Sequence, residues 1–288
     1  MISGAELGFR SELIFHGADG VVLDCRAEHG CRVIRTPSNP SFYWGNYLLF
    51  DHAPRADDAS RWEHLFVQQI AGRQPESTHR AFGWVEDAPG DIAGFLAAGY
   101  QVNNATVMQG TRVPVVPAPT LEASLRPFEQ SGDAAERAWS QLVELHIATR
   151  APQFSERGYR PYAQRSVARW RALAARGRGN WFGAFAAGDD APRLVAALGI
   201  YAEAEPNDGE RIARYQAVMT APEHRRRGLC RALIAQAARY AFDELHASRL
   251  VIVAAAGEMP ERLYASIGFV AAGLQRGLQR TPERDRAA

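Results

Sequence analysis

The sequence contains no lysine; all 33 of its lysine-plus-arginine positions are arginine. A GC-rich coding sequence accounts for that choice, but it has a chemical consequence. Neither a Schiff-base lysine nor the lysine of a phosphate-binding P-loop is available. Cysteine is scarce: Cys25, Cys31 and Cys230 are too few and too scattered for a disulfide scaffold, and they lack zinc-ligand spacing. No metal site is expected, and a reducing cytoplasm is the default location. No apolar run is long enough to span a bilayer, so no membrane partner is expected. The N-terminus has no basic region followed by an apolar stretch and a small-residue cleavage site, which argues against secretion. Charge of one sign is also missing. The net charge is +1, unlike the clearly basic domains that grip nucleic acid. No Gly-x-Gly-x-x-Gly opens a helix after a strand, so a dinucleotide enzyme is a weak third reading.

What is present is a protein of 288 residues, enough for two domains of ordinary size. The stretch Val113 to Pro119 holds three prolines and favours a stiff, extended connector. It divides a first domain, 1–115, from a second, 120–288. In the second, apolar spacing predicts helices over 133–149 and 163–176, with a polar, aromatic loop, Pro152 to Tyr162, before the second. Strands are predicted over 181–187, 193–203 and 211–219, the last two joined by a turn at Asn207-Asp208-Gly209. An amphipathic helix, an apolar strand over 249–256, a short helix from Pro260 and a last strand from Phe269 follow.

The most informative segment is Thr220 to Leu233, which includes Arg225-Arg226-Arg227-Gly228-Leu229-Cys230-Arg231. It links an apolar strand to a helix. Free N–H groups and the dipole at a helix N-terminus attract anions, and guanidinium groups add phosphate contacts. Gly228 removes a Cβ where backbone must approach phosphate oxygens. The bland alternative is a solvated basic turn.

Arg225, Gly228 and Cys230 match the pattern Arg/Gln-x-x-Gly-x-Gly/Ala, with cysteine as the departure. Leu263-Tyr264-Ala265-Ser266-Ile267-Gly268-Phe269 matches Leu-Tyr-x-x-x-Gly-Phe. Over approximately Thr120 to Arg280 the chain resembles the GNAT superfamily of acetyl-CoA-dependent N-acetyltransferases. The resemblance implies an α/β (α+β) fold, with a mixed, mostly antiparallel sheet flanked by helices. It implies that acetyl-CoA is the cofactor, with its pyrophosphate on Arg225 to Arg231 and its pantetheine arm along Ala217, Val218 and Met219. That strand and the one at Leu250 to Val253 would splay apart and admit the thioester. Family members often carry an asparagine seven residues before the tyrosine, where this chain has Gly257.

Tyr264 is the candidate general acid: a phenol of pKa about 10 holds its proton at neutral pH and can return it to the departing thiolate. It can equally be a core tyrosine. Glu203 and Glu205 are candidates for the base that deprotonates the acceptor amine. His146 and Gln216 are weaker ones, and a water relay serves as well. Cys230 can be read as a nucleophile, since a helix N-terminus lowers a thiol pKa. A small filler residue is preferred, because the resemblance implies direct attack. Pro152 to Tyr162 is the candidate acceptor-side loop, through Phe154, Tyr159 and Tyr162.

The first half carries a faint echo of the same order. Gly94 to Tyr100 aligns with Leu263 to Phe269, but Phe95 stands where the tyrosine would be. The loop at Ala53 to Asp58 lacks the glycine and carries two acids, which would repel phosphate. This half reads as a degenerate second copy of the fold or as an unrelated small α/β domain. The aromatic run Phe42 to Tyr47 is either a pocket wall or a strand with alternate burial. The leading reading is an N-acetyltransferase acting on an amine of a small molecule or peptide. The alternative is a non-catalytic acyl-CoA-binding sensor or scaffold. Oligomeric state is open, with a homodimer one arrangement.

Overall fold

The computed structural model describes residues 2–16, 19–152, 154–188 and 191–282. The chain divides into two compact units, one of Met1–Met108, Val253–Arg262 and Ala271–Ala288, the other of Gln109–Ile252 and Leu263–Val270. In chain order the elements are α1 (Gly4–Glu12), β1 (Val21–Cys25), α2 (Arg26–His29), β2 (Cys31–Arg35), β3 (Tyr47–Phe50), α3 (Asp58–Phe66), β4 (Arg80–Trp84), α4 (Ala93–Ala97), β5 (Gln101–Val102) and β6 (Ala105–Gly110). Then come β7 (Ser124–Pro127), α5 (Asp133–Ala148), α6 (Glu156–Ala175), β8 (Gly179–Ala186), β9 (Arg193–Ala202), β10 (Ile212–Thr220), α7 (Leu229–Asp243), β11 (Arg249–Ala255), α8 (Met259–Ser266) and β12 (Val270–Arg280).

In the first unit β1, β2 and β3 pair antiparallel, and β3 then pairs parallel with β4 through the crossover helix α3. The last strand of the chain, β12, joins this sheet antiparallel to β4 and β5. All four residues of β3 are buried, as expected of a strand covered on both faces. The core is aromatic: Trp62 stacks flat on Phe50 with centroids 3.6 Å apart, and Phe82 and Phe95 pack at angles to it.

The aromatic run over 42–47 is only partly strand. Tyr43 to Gly45 form a single 3-10 turn, and Tyr43 stacks on buried His79 at 4.2 Å. Fully buried Asn46 holds the turn. Its Oδ1 accepts from the Thr36 N–H and from Gln74 Nε2, both at 2.8 Å, and its Nδ2 donates to the Asn39 and Phe42 carbonyls. A satisfied buried amide of this kind fixes a loop tightly, because each unpaired partner would be costly.

In the second unit β7, β8, β9 and β10 form an antiparallel meander, and β10 pairs parallel with β11 through α7. The β9–β10 turn is as expected: Asp208 and Gly209 both take positive φ, and Asn207 and Glu210 exchange backbone hydrogen bonds of 2.9 and 3.0 Å. α7 packs on β8, β9 and β10, and α5 and α6 pack on each other and on β8 and β9. The mixed, mostly antiparallel sheet with flanking helices agrees with the expectation. So does the order of unit one, where strand, helix, parallel strand and short helix follow one another as they do from β10 to α8.

The second helix differs from its expected start at residue 163. It begins at Glu156, so residues 156–162 are helical and only the start of the expected loop remains irregular. Pro161 lies inside the helix and forfeits one backbone bond. Ser155 Oγ caps the Gly158 N–H, and Arg160 pairs with Glu156 on its own helix and with Glu144 on α5 at 2.8 and 2.6 Å. Tyr159 and Tyr162 pack on His146. These tertiary contacts outweigh the proline. Gln153, within the same segment, lies outside the described residues.

Candidate functional site: a splayed strand pair and an uncapped helix

The site is built on β10. Its parallel ladder with β11 runs only over Ile212 to Arg214, opposite Arg249 to Val251. Beyond this the ladder stops, and on the other side the register with β9 shifts between Gln216 and Met219. Ala217 takes φ +45°, unusual for a residue with a side chain. A bulge bends a strand and raises its twist, so it turns β10 away from β11. The backbone groups of 217–219 therefore fall where the sheet opens. Ala217, Val218 and Met219 occupy the stretch expected to run beside an extended ligand.

β10 leads through a short turn, Pro222 to His224, into the arginine segment. Arg225, Arg226 and Arg227 are exposed. Gly228 is the N-cap residue of α7 with φ +80°, and Arg226 also takes positive φ. The N-terminus of α7 has no side-chain cap and no acidic residue in its first turn. Ser3 caps α1 and Ser155 caps α6; α2, α3 and α5 lack a side-chain cap as α7 does, but each carries an acid in its first turn, Glu28, Asp58 and Asp133 respectively. A helix start that presents N–H groups without a capping side chain, beside four arginines, suits an anion.

The reason for glycine at 228 differs in part from the expected one. A Cβ there would lie 3.2 Å from Pro119 Cα. The Thr120 N–H donates to the Arg227 carbonyl at 3.0 Å. The proline-rich stretch thus ends packed against the turn, and Gly228 serves that close approach as well as the left-handed backbone.

Tyr264 sits on α8 and is 5% exposed. The ring of Phe269 lies 6.5 Å from that of Tyr264 and 5.9 Å from that of Tyr215 on β10. Burial raises the Tyr264 phenol above the ordinary tyrosine range, and proximity to Cys230 adds to the shift. Arg231 Nη2 donates to Ser266 Oγ at 3.3 Å, joining the first turn of α7 to the end of α8. The structure therefore brings Tyr264, Cys230 and Arg231 together at the start of α7. Burial pushes the Cys230 thiol up to about 12, so it stays protonated at neutral pH and acts as a small apolar filler.

Glu203 lies elsewhere on the same sheet. Its carboxylate accepts from the Ile212 N–H at 3.2 Å, and its carbonyl accepts from Arg211 Nε at 2.9 Å. It closes the base of the β9–β10 hairpin at the paired end of β10, beside Ile212, which precedes Ala217 by five residues or about 17 Å of strand. His146 is buried among Tyr159, Tyr162 and Trp170, with centroids 5.3 to 5.7 Å away, and its Nδ1 has no hydrogen-bond partner among the described residues. Burial pushes its pKa down to about 4. Tyr159 and Tyr162 pack on this imidazole, and Phe154 packs on Tyr159. At Gly257 the N–H donates to Glu261 Oε2 at 2.6 Å, so a carboxylate of the chain itself engages the backbone there.

The corresponding turn of the first unit is closed. The Ala53 N–H donates to Glu86 Oε2 at 2.8 Å, and the Arg55 N–H donates to Asp58 Oδ2 at 2.9 Å. Phe95 is fully buried. Here the chain supplies its own anions to the turn that follows β3.

Residues 139–269 match the model of the Acetyltransferase (GNAT) family. This stretch is a GNAT acetyltransferase domain. Solved structures of similar fold include two that span nearly the whole chain. One is a conserved protein of unknown function from Staphylococcus epidermidis, 12% identical, with a TM-score of 0.64, covering 93% of this chain and 95% of that one. The other is a GCN5-related N-acetyltransferase from Kribbella flavida, 14% identical, with a TM-score of 0.60, covering 100% of both chains. At these identities the likeness is one of fold. No curated protein matches the sequence. The GNAT family typically uses acetyl-CoA, and the splay of β10, the bulge at Ala217 and the uncapped start of α7 fit such a molecule. Among the described residues, no helix is long and apolar enough to cross a membrane.

Proposed function

We propose that this chain is an N-acetyltransferase that moves the acetyl group of acetyl-CoA to an amine of a small molecule or peptide by direct attack. The observation that carries the reading is the combination, within one unit, of a splayed β10 with an uncapped helix beside Tyr264. Arg225, Arg226, Arg227 and Arg231, with the N–H groups of Gly228, Leu229 and Cys230, would hold the pyrophosphate. The backbone of Ala217, Val218 and Met219 would bond to the pantetheine arm, in the manner of a strand added to an open edge.

Tyr264 would act as general acid. Its burial keeps the phenol protonated well into the alkaline range, so it has a proton to give as the carbon–sulfur bond breaks. Once the proton is given, the buried phenolate is disfavoured and takes a proton back readily. Removal of the amine proton is assigned to a water relay or to Glu203. The carboxylate of Glu203 already accepts a backbone N–H at the hairpin base, so a role for it would pass through water.

The test is release of free thiol from acetyl-CoA in the presence of a panel of primary amines. Amine-dependent release supports the transferase. Coenzyme A binding without release by any amine would favour the sensor or scaffold reading, which the engaged Gly257 backbone keeps in view.

A further inference from the structure

Two of the three cysteines, far from the acetyltransferase domain in sequence, lie directly opposite each other in the first unit. In the antiparallel β1–β2 pair, Cys25 is the Cα partner of Cys31. Facing residues of such a pair have Cα atoms about 4.5 or 5.5 Å apart, and both spacings lie within the range that a disulfide spans. Facing residues also project to the same side of the sheet. Cys31 is fully buried in the aromatic core with Phe50 and Trp62, and Cys25 packs against that same cluster from its rim. Both are free thiols. The connection between them, Arg26 to Gly30, is a single helical turn closed by Gly30 at φ +69°.

We propose that Cys25 and Cys31 form a reversible disulfide that staples the β1–β2 hairpin at the edge of the first unit's sheet. The oxidant is a small-molecule disulfide such as oxidised glutathione. The Cys25 thiol, the more accessible of the two, loses its proton, and its thiolate attacks one glutathione sulfur. The glutathione S–S bond breaks, and one glutathione leaves as thiolate and takes up that proton. The Cys31 thiol then loses its proton and attacks the Cys25 sulfur, releasing the second glutathione, which is protonated in turn. Two electrons leave the protein, and one glutathione disulfide becomes two thiols. Burial pushes the Cys31 thiol up to about 12, and Cys25 adds to that shift, so the second step is the slow one and quickens as pH rises.

The staple would tie down an edge strand that carries exposed Val22 and Leu23. Edge strands of that kind are open to pairing with other chains. The sequence gives no sign of it, because the two cysteines are separated by a charged segment and only the strand register brings them together.

The experiment incubates the full chain with oxidised glutathione, blocks remaining thiols with an alkylating agent, and digests it with trypsin. Cleavage after Arg26 separates the two cysteines, so the disulfide appears as peptide 11–26 linked to peptide 27–32. The expected result is this linked pair on a chain of single mass that has lost two hydrogens. It disappears with dithiothreitol and is absent in both Cys25→Ala and Cys31→Ala. Cys25→Ala, at the rim of the core, serves as the folded control should Cys31→Ala fail to fold. Recovery of both cysteines as alkylated thiols would overturn the proposal. So would glutathione persisting on Cys25 alone, a link to Cys230, or a link between two chains.

Discussion

Arg231 Nη2 donates to Ser266 Oγ at 3.3 Å, and this contact ties the helix start that follows the arginine segment to the helix that carries Tyr264. The proposed anion site and proton donor would thereby be held in one frame, since Ser266 is two residues from Tyr264 and Arg231 is one residue from Cys230. Placement of a reacting sulfur relative to its proton donor depends on such a tie, since small misplacements cost large factors in rate.

Tyr264→Phe removes the hydroxyl and leaves the ring that packs near Phe269. Turnover with a competent amine is expected to fall by about 100-fold or more, the scale of general acid catalysis, with coenzyme A affinity unchanged. Because burial raises the phenol pKa, the wild-type rate is not expected to lose this acid as pH rises to the ordinary tyrosine pKa. Steady-state kinetics and calorimetry on the two proteins check both statements. Unchanged turnover would remove Tyr264 from the mechanism.

Replacing Arg225, Arg226 and Arg227 together by Gln keeps hydrogen-bonding capacity and removes three exposed charges. A charge-assisted bond is worth about 1.5–3 kcal/mol when shielded but about 1 kcal/mol or less on exposed side chains such as these, so coenzyme A affinity is expected to drop by on the order of 100-fold. The wild-type affinity should also fall more steeply with added salt than that of the variant. Thermal stability should hardly change, because none of the three side chains is buried.

Gly228→Ala adds a Cβ at φ +80°, 3.2 Å from Pro119 Cα. The left-handed backbone alone costs about 1–2 kcal/mol for a residue with a side chain. A lower urea midpoint is expected, together with weaker coenzyme A binding as the turn relaxes. An unchanged midpoint would mean that the proline-rich stretch does not press on this turn.

His146 is buried with its pKa pushed down to about 4. The unfolded chain binds a proton at the ordinary histidine pKa of about 6.5, so between these values the unfolded state holds more protons than the folded one. Stability from this group is thus full above pH 6.5 or so and is lost as pH falls toward 4, by on the order of 1–3 kcal/mol. His146→Phe, placed among Tyr159, Tyr162 and Trp170, is expected to flatten that acid slope in urea melts taken across the same pH range. A slope unaltered by the substitution would assign it to other groups, such as buried His79.

Much of the second unit could be read from sequence because its signals are local. An apolar strand, an arginine-glycine turn and an amphipathic helix declare themselves within a few residues, and the Asn207-Asp208-Gly209 turn does so by chemistry alone. What could not be read is what depends on partners distant in the chain. The start of α6 at Glu156 is hidden by Pro161, and salt links to Glu144 and packing on His146 override it. The bulge at Ala217 has no glycine to announce it. The packing of Pro119 on Gly228 and the pairing of Cys25 with Cys31 are likewise matters of register and return path. Glu203 is legible as a strand-end carboxylate, but only the register shows that it accepts the Ile212 N–H at the paired end of β10.

The first unit explains why one such site is expected and not two. Where β3 leads into α3, Glu86 and Asp58 already accept from the Ala53 and Arg55 N–H groups, so the chain's own carboxylates engage donors a phosphate would need and would repel it. The most direct test of the account is a calorimetric titration of the full chain with coenzyme A. Saturable binding with a stoichiometry of one per chain is expected, abolished or strongly weakened by the triple arginine replacement. No heat of binding, or binding that survives that replacement undiminished, would contradict it.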